Sequence, residues 1–468
     1  MKKRRKRKQN STGKVIASIS ATCLVFALIL VVLTSNGISL PFLGGSAGTS
    51  DSSSNFLSTS SDEMSSESSE TPVIEDEYTN ATLCFAGDIV QHTPLNNDAY
   101  NRNGEYDFTY MYEYAREYFE AADYAACCIE TTLNTANRPI SGYPAFCSPD
   151  GVAYSLKEVG MDLIATASNH ANDTQQQGIN ETLDVLDEAG LDHVGTYRTQ
   201  EERDENNGIL LKNINDISIA FLNYSYNTNF NSIDSYPYAV NVYYNDYMGG
   251  LTDINYDMVG EDMEAARAMN PDLIVVMVHW GVEYTTTQTE QQEVFADFLF
   301  EEGADLIIGG HPHVPEPMEI REIDNGDGTT RTGYIVYSLG NFISNQNYAT
   351  LSNGAYTNLT AIVNIDITKN ITQDEVTITN IEYAPMYLAH PNESNSGHYC
   401  LLDINKAIAE YEAGDYTYVN SSLYTRLQEG LEDLHRIFGY EEVVLERTDP
   451  AEESSPADEL SSAVGDAA

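Results

Sequence analysis

Short apolar runs at residues 81–86, 125–129, 161–167, 217–223, 272–278, 305–308 and 334–339 alternate with stretches whose apolar residues recur at helical spacing. Several of the runs are bounded by Gly, Asn or Asp, as buried strands are. The spacing predicts helices over 108–122, 175–189, 258–269 and 291–302. Alternation of this kind predicts an α/β domain with largely parallel pairing. Further on, 360–367 and 375–383 alternate in the manner of antiparallel strands, and 420–438 reads as a late amphipathic helix. There is no internal repeat.

One apolar run is of another kind. Residues 15–33, VIASISATCLVFALILVVL, carry no charge. As a helix they span about 28 Å, close to the hydrocarbon thickness of a bilayer. Seven Lys and Arg residues crowd positions 2–8, with Lys14 beside the run. They predict a cytoplasmic tail (1–14), one transmembrane helix (15–33) and everything beyond it outside the cell membrane. The alternative is a cleaved signal peptide. The run is longer than an h-region of about 7–15 residues and no strong A-x-A site follows, although Gly45-Ser46-Ala47-Gly48 is open to cleavage. Cys23 lies inside the run rather than after it, which argues against a lipoprotein. Residues 34–78 are rich in Ser, Gly, Thr and Glu and read as a disordered stalk. A single domain is expected over 79–445, then an acidic disordered tail over 446–468.

Charge narrows the function. Eight of the 23 Lys and Arg residues precede residue 15, and no Asp or Glu occurs before Asp51. The rest of the chain therefore sets 15 basic against 72 acidic side chains, a balance of −57. Such a body repels nucleic acid, which is excluded as a partner. Five cysteines lie beyond the apolar run, an odd number with no CxxC pair, so they define no disulfide framework. Cys84 and Cys127 fall in strand-like runs, where buried free thiols are the ordinary reading.

The polar residues that carry chemistry stand just past the ends of the apolar runs, where open α/β sheets build their sites. LCFAGDIV ends at Asp88, AACCIET at Glu130, LIATASNH at Asn169 and His170, LIVVMVHW at His279, and ADLIIGGHPH at His311 and His313. Any one of these has a bland explanation, since a lone Asp usually caps a helix and a lone His is usually a satisfied structural residue. Six potential ligands at equivalent positions on five strands are harder to explain away. Carboxylate, amide oxygen and imidazole together suit a divalent transition metal better than calcium. Glu130 can bridge two ions about 3.5–4 Å apart. His170, beside a ligand candidate, is placed to act as general acid.

At these residues the chain resembles the CapA/PgsA bacterial capsule-synthesis family, linked to poly-gamma-glutamate production and a branch of the calcineurin-like metallophosphatase superfamily. The resemblance runs from about residue 82 to 341. Its most specific pieces are GDIVQHTP, SGYPAFCSPD, ASNHANDTQQQG, HWGVEY, GADLIIGGHPHVPEPME and YSLGNF. It implies a two-sheet α/β sandwich of the metallophosphoesterase type with the site on loops at one end. It implies metal-ligand roles for Asp88, Glu130, Asn169, His279, His311 and His313, holding one or two ions of Mn, Zn or Fe, and it matches His170 to the superfamily's catalytic histidine. Glu319 and Asn341 lie in family motifs as pocket-lining or packing residues.

Departures from the family pattern bear on the metal count. The first motif usually reads Asp-x-His, and Val90 holds the third position here. His92 is a candidate to compensate. Cys128 stands where an Asn commonly precedes the motif-two Glu, either as a buried thiol or as a donor sharing a face with Glu130. Two readings of function remain. One is a metal-dependent phosphoesterase-like hydrolase acting on an anionic polymer or phosphoester in capsule or poly-gamma-glutamate synthesis or export. The other is a non-catalytic, metal-binding scaffold or polymer-binding partner of the other subunits of a capsule polymer synthesis complex.

Overall fold

The computed structural model describes residues 76–134, 138–326, 328–349 and 351–439. The expected tail, transmembrane run and acidic terminus, and nearly all of the expected stalk, lie outside the described residues. No helix among those described is long and apolar enough to cross a membrane.

Sixteen strands are described. In chain order the first eight are β1 (Tyr78–Ile89), β2 (Tyr124–Ile129), β3 (Leu133–Asn134), β4 (Ser148–Pro149), β5 (Leu163–Ala165), β6 (Asp192–Val194), β7 (Leu210–Ile214) and β8 (Ile217–Ser225). The rest are β9 (Leu273–His279), β10 (Leu306–Gly310), β11 (Pro315–Asp324), β12 (Thr330–Leu339), β13 (Asn341–Ile343), β14 (Leu359–Asn370), β15 (Glu375–Ala389) and β16 (Cys400–Asp403). One sheet runs β16-β15-β14-β1-β2-β5-β6 with β13 also paired to β1, and a second runs β11-β12-β10-β9-β8-β7. The middle of each is parallel, through β1-β2-β5-β6 and β8-β9-β10-β12. Antiparallel strands flank both.

Side-chain alternation assigns the layers. Ala81, Leu83 and Phe85 of β1 pack with Ile219 and Phe221 of β8 and Val275 of β9 in the core between the sheets. Their neighbours Cys84, Ala125 and Cys127 face outward to the helix Gln175–Ala189, and Ala220, Val276 and Ile307 face outward to Tyr256–Ala268 and Glu290–Glu301. The result is a two-sheet sandwich clad by helices. Each fully buried aliphatic or Phe side chain contributes about 1.5–3 kcal/mol, and Phe221→Ala in the inner layer would cost about 3–5 kcal/mol.

The expected helix over 108–122 is broken. A 3₁₀ turn, Thr109–Tyr112, precedes the short helix Arg116–Ala121. Asp107 accepts hydrogen bonds from the Thr109 backbone and hydroxyl, a local turn, and Ser155 Oγ of the helix Gly151–Glu158 accepts from Phe108 N–H, so one local and one distant side chain replace helical bonds. Cys84 and Cys127 are buried free thiols, as their strand-like runs predict, and Cys128, Cys147 and Cys400 are buried and free as well.

Candidate metal centre

The functional residues gather where the parallel strands of both sheets end. Asp88 lies in β1 opposite Cys128 of β2 on one side and Asn341 of β13 on the other. Glu130 follows β2, Asn169 and His170 follow β5, His279 ends β9, and His311 and His313 follow β10. Two glycines make the close packing here possible, Gly310 against the other sheet and Gly309 against the neighbouring strand of its own sheet. A Cβ on Gly310 would fall 2.4 Å from Asp88 Oδ1, and one on Gly309 would fall 1.9 Å from the Tyr337 carbonyl.

The backbone is strained at the same place. His311 has φ of 96° and His313 has φ of 61°, a region that non-glycine residues enter at a cost of about 1–3 kcal/mol. Asp88 Oδ2 accepts the His311 backbone N–H at 2.7 Å, which holds the loop in that conformation.

Asp88, Glu130, Asn169, His279, His311 and His313 are each 3% exposed or less. Glu130 has no hydrogen-bond partner at either carboxylate oxygen, and neither His279 Nδ1 nor His311 Nδ1 has one. Four such atoms concentrated on three adjoining buried residues are costly, whereas the others in the described interior, such as Glu316 Oε1, are scattered one to a residue. A bound cation removes that cost. Donor atoms of Glu130, His311 and His313 lie within 4.8 Å of one another, as do those of Asp88, Cys128 and His279. The residues present therefore fit a divalent metal, in two adjoining groups.

Electrostatics agree. Burial holds the Asp88 carboxyl up at about 6, and burial with the nearby Asp88 charge holds Glu130 well above the usual carboxylate range. Burial pushes His279 and His311 well below their usual range and His313 down to about 3, so these imidazoles are neutral and keep a lone pair to donate. A bound cation reverses the carboxyl shifts by favouring the charged forms.

Neighbours orient the ligand candidates. Asn341 Nδ2 donates to the Thr357 carbonyl and to Gln346 Oε1, so its Oδ1 is the atom facing His313 Nδ1 at 3.0 Å and must accept from it. Asn169 Oδ1 lies 3.0 Å from His279 Nε2. Fixing the ring and tautomer in this way is how metal-binding histidines are usually held.

His170 stands at the rim. Its Nδ1 is 2.7 Å from Asp173 Oδ2, Asn229 Nδ2 lies 3.3 Å from its Nε2, and Glu130 Oε1 is 3.8 Å from the same nitrogen. Phe146 meets the ring edge-on at 4.7 Å. Beyond lies a cleft of about 390 Å³ walled by Tyr143, Phe146 and Tyr284, with Glu283 and Gln346 as polar lining and no Lys or Arg among the described residues that line it.

His92 also lines this cleft. Its Nδ1 donates to the Val90 carbonyl at 2.9 Å, and it belongs to neither ligand group. Val90 is buried and apolar, so the position vacated in the first motif supplies no donor. Glu319 is a correction to the expected pocket lining. It lies four residues along β11 from Pro315, about 13 Å down the strand, and its carboxylate pairs with Arg321 at 2.8 Å. Asp173 and Asn229 were missed. Asp173 sits three residues after His170 inside a motif already singled out, whereas Asn229 arrives from a loop with no sequence signal.

Residues 82–346 match the family described as bacterial capsule synthesis protein PGA_cap. The chain is 26% identical over 295 residues to the capsule biosynthesis protein CapA of Bacillus anthracis, covering 61% of this chain and 64% of that protein. It is 27% identical over 248 residues to the PGA biosynthesis protein CapA of Bacillus subtilis (strain 168), covering 51% and 57%. The chain thus spans less than two thirds of the length of either relative. Among solved structures, a phosphatase from Mycoplasma pneumoniae aligns with a TM-score of 0.38 at 14% identity, over 68% of this chain and 96% of that one. The calcineurin-like phosphoesterase YfkN from Bacillus subtilis aligns at 0.37 and 13%, over 66% and 91%. Because the family match takes in more than half of the 468 residues, including every strand end that delivers a ligand candidate, the chain belongs to the bacterial capsule synthesis protein PGA_cap family.

Proposed function

We propose that this protein is a metal-dependent, phosphoesterase-like component of capsule or poly-gamma-glutamate synthesis or export, anchored in the cell membrane by residues 15–33 with its α/β domain outside. The observation that carries the metal-dependent part is the set of unpaired buried atoms on Glu130, His279 and His311. The names of the two CapA relatives and the charge-free run behind a basic cluster support the envelope role.

Glu130, His311 and His313 would hold one ion, with Asn169 and His279 beside them. A bound divalent ion supplies a polarised phosphoryl oxygen and a water that ionises near neutral pH. The chain's own part is to place protons and substrate. Asp173 accepts from His170 Nδ1 and fixes the ring with Nε2 turned to the cleft. From there Nε2 is placed to hand a proton to the leaving oxygen. Phe146 and Tyr284 give the cleft apolar surface on one side, with the exposed Tyr143 at its mouth. With no Lys or Arg in this lining, an anionic group depends on the metal for its positive charge.

The buried Val90 favours a second reading, a metal-binding scaffold without turnover, because a donor is missing from one side of the centre. Metal analysis of the full-length chain, paired with a phosphodiester and peptide-bond hydrolysis screen with and without chelator, tests both. Chelator-sensitive hydrolysis is expected. Bound metal without any hydrolysis selects the scaffold, and absence of metal removes both readings. External protease applied to intact cells should degrade the α/β domain, and full protection would refute the anchored topology.

A further inference from the structure

Below the cleft, where the sheets converge, a space of about 20 Å³ is bounded by Asp88, Cys128 and His279 together with apolar side chains such as Ala165 and Met277. It holds one water-sized guest. Strand alternation turns Cys127 outward to the helices and Cys128 inward between the sheets, and register sets Cys128 directly opposite Asp88. His279 completes the group from the other sheet. Its Nε2 is taken up by Asn169 Oδ1 at 3.0 Å, while its Nδ1 has no partner and lies 4.0 Å from Asp88 Oδ1. His279 is 1% exposed, and the rest of the lining offers that nitrogen little but apolar surface.

A carboxylate oxygen, a sulfur and an imidazole nitrogen thus sit within 4.8 Å of one another. Among the described residues Cys128 is the only cysteine in such a group, the other four being buried thiols outside both. The set differs in kind from Glu130, His311 and His313, which offers oxygen and nitrogen alone. Thiolate donors favour zinc and other thiophilic ions, and carboxylate–imidazole sets are less selective.

We propose that Asp88, Cys128 and His279 form a thiolate-containing cation position at the floor of this centre, selective for a thiophilic divalent ion such as Zn²⁺. The proposal rests on the metal-centred reading above and gives the two positions different ligand chemistry. On binding, a sulfur lone pair forms the bond to the ion and the thiol proton leaves to solvent, one proton per ion, with no change of oxidation state. The donor lost at Val90 is in this way replaced from the neighbouring strand.

The full-length chain loaded with Co²⁺ should show thiolate-to-cobalt charge-transfer absorption in the near ultraviolet. Cys128→Ser should lose the band and one bound cobalt per chain while keeping cobalt at Glu130, His311 and His313. A band that survives in Cys128→Ser, or a wild-type chain that holds cobalt without the band, overturns the proposal. A second measurement needs no variant: zinc-edge X-ray absorption of the zinc-loaded wild type should show a sulfur neighbour at about 2.3 Å. Nitrogen and oxygen neighbours alone would sink the thiolate position and leave the metal-centred reading standing, whereas failure to bind any divalent ion would sink both.

Discussion

His170 and Asp173 form a dyad three residues apart on one loop, with Nδ1 and Oδ2 separated by 2.7 Å. The same carboxylate oxygen accepts the Phe146 backbone N–H at 2.7 Å, so the dyad is tied to a second loop and its geometry does not depend on a bound substrate. If His170 is the proton donor, His170→Asn should keep the metal and slow turnover about 10²–10⁴-fold. Asp173→Asn should keep the metal, slow turnover less, and move the pH–rate profile, because it acts through His170. Loss of metal in His170→Asn would place that residue among the ligands.

His279 and His311 have unpaired ring nitrogens, so replacing either by Ala should empty or weaken the centre. Metal content by elemental analysis is the readout. Chelating the wild type should also lower its thermal midpoint, since a ligand at about 100 times its Kd stabilises the native state by about 2.7 kcal/mol. Unchanged metal content in both variants would show the ligand assignment to be wrong.

An anionic substrate meets a chain whose charge beyond residue 14 is −57. Repulsion reaches farther at low salt, where the Debye length is about 30 Å at 0.01 M against about 8 Å at 0.15 M. Binding of an anionic polymer should therefore strengthen with salt, until salt competes at the metal, and vanish with chelator. Binding that ignores chelator and falls steadily with salt would mean capture by a basic patch instead.

Glu316 is buried at the start of β11, with Oε2 accepting from Gln292 Nε2 at 2.6 Å and Oε1 unpaired. Burial pushes its carboxyl up to about 8 from 4.5. The native state then keeps a proton that the unfolded chain releases, so stability is full below pH 4.5 and falls as pH rises through about 8. Glu316→Gln should abolish this slope and stabilise the protein by up to a few kcal/mol at pH 8 and above. Urea midpoints measured across pH for both proteins check it, and parallel curves would refute it.

Asp262 receives Arg203 Nη2 at 2.6 and 2.8 Å and the Tyr224 hydroxyl at 3.0 Å in a buried cluster outside the cleft. Asp262→Ala leaves the Arg203 charge buried without a counter-charge, with only the neutral Asn241 Oδ1 still accepting from its Nε, and should cost about 3–5 kcal/mol by denaturant unfolding. Metal content per folded molecule should not change. A loss below about 1 kcal/mol would mean that water reaches the arginine.

The strand ends, and the residue types that stand at them, were legible in the amino-acid order. Period-two and 3.6-residue patterns mark where side chains face a core, and ligand types at the ends of apolar runs mark where a parallel sheet opens. Residues 175–189 form the helix their spacing predicts, and Asp88, Glu130, Asn169, His279, His311 and His313 do meet. The family motifs supplied the two-sheet form, which periodicity cannot, because a run such as 217–223 reads alike in either sheet. Long-range packing settled the rest. It brought Asn229 to His170 across 59 positions, and set Cys128 opposite Asp88 and near His279 from the other sheet. Those relations depend on register and on how two sheets pack, which are set by long-range contacts that local spacing does not encode.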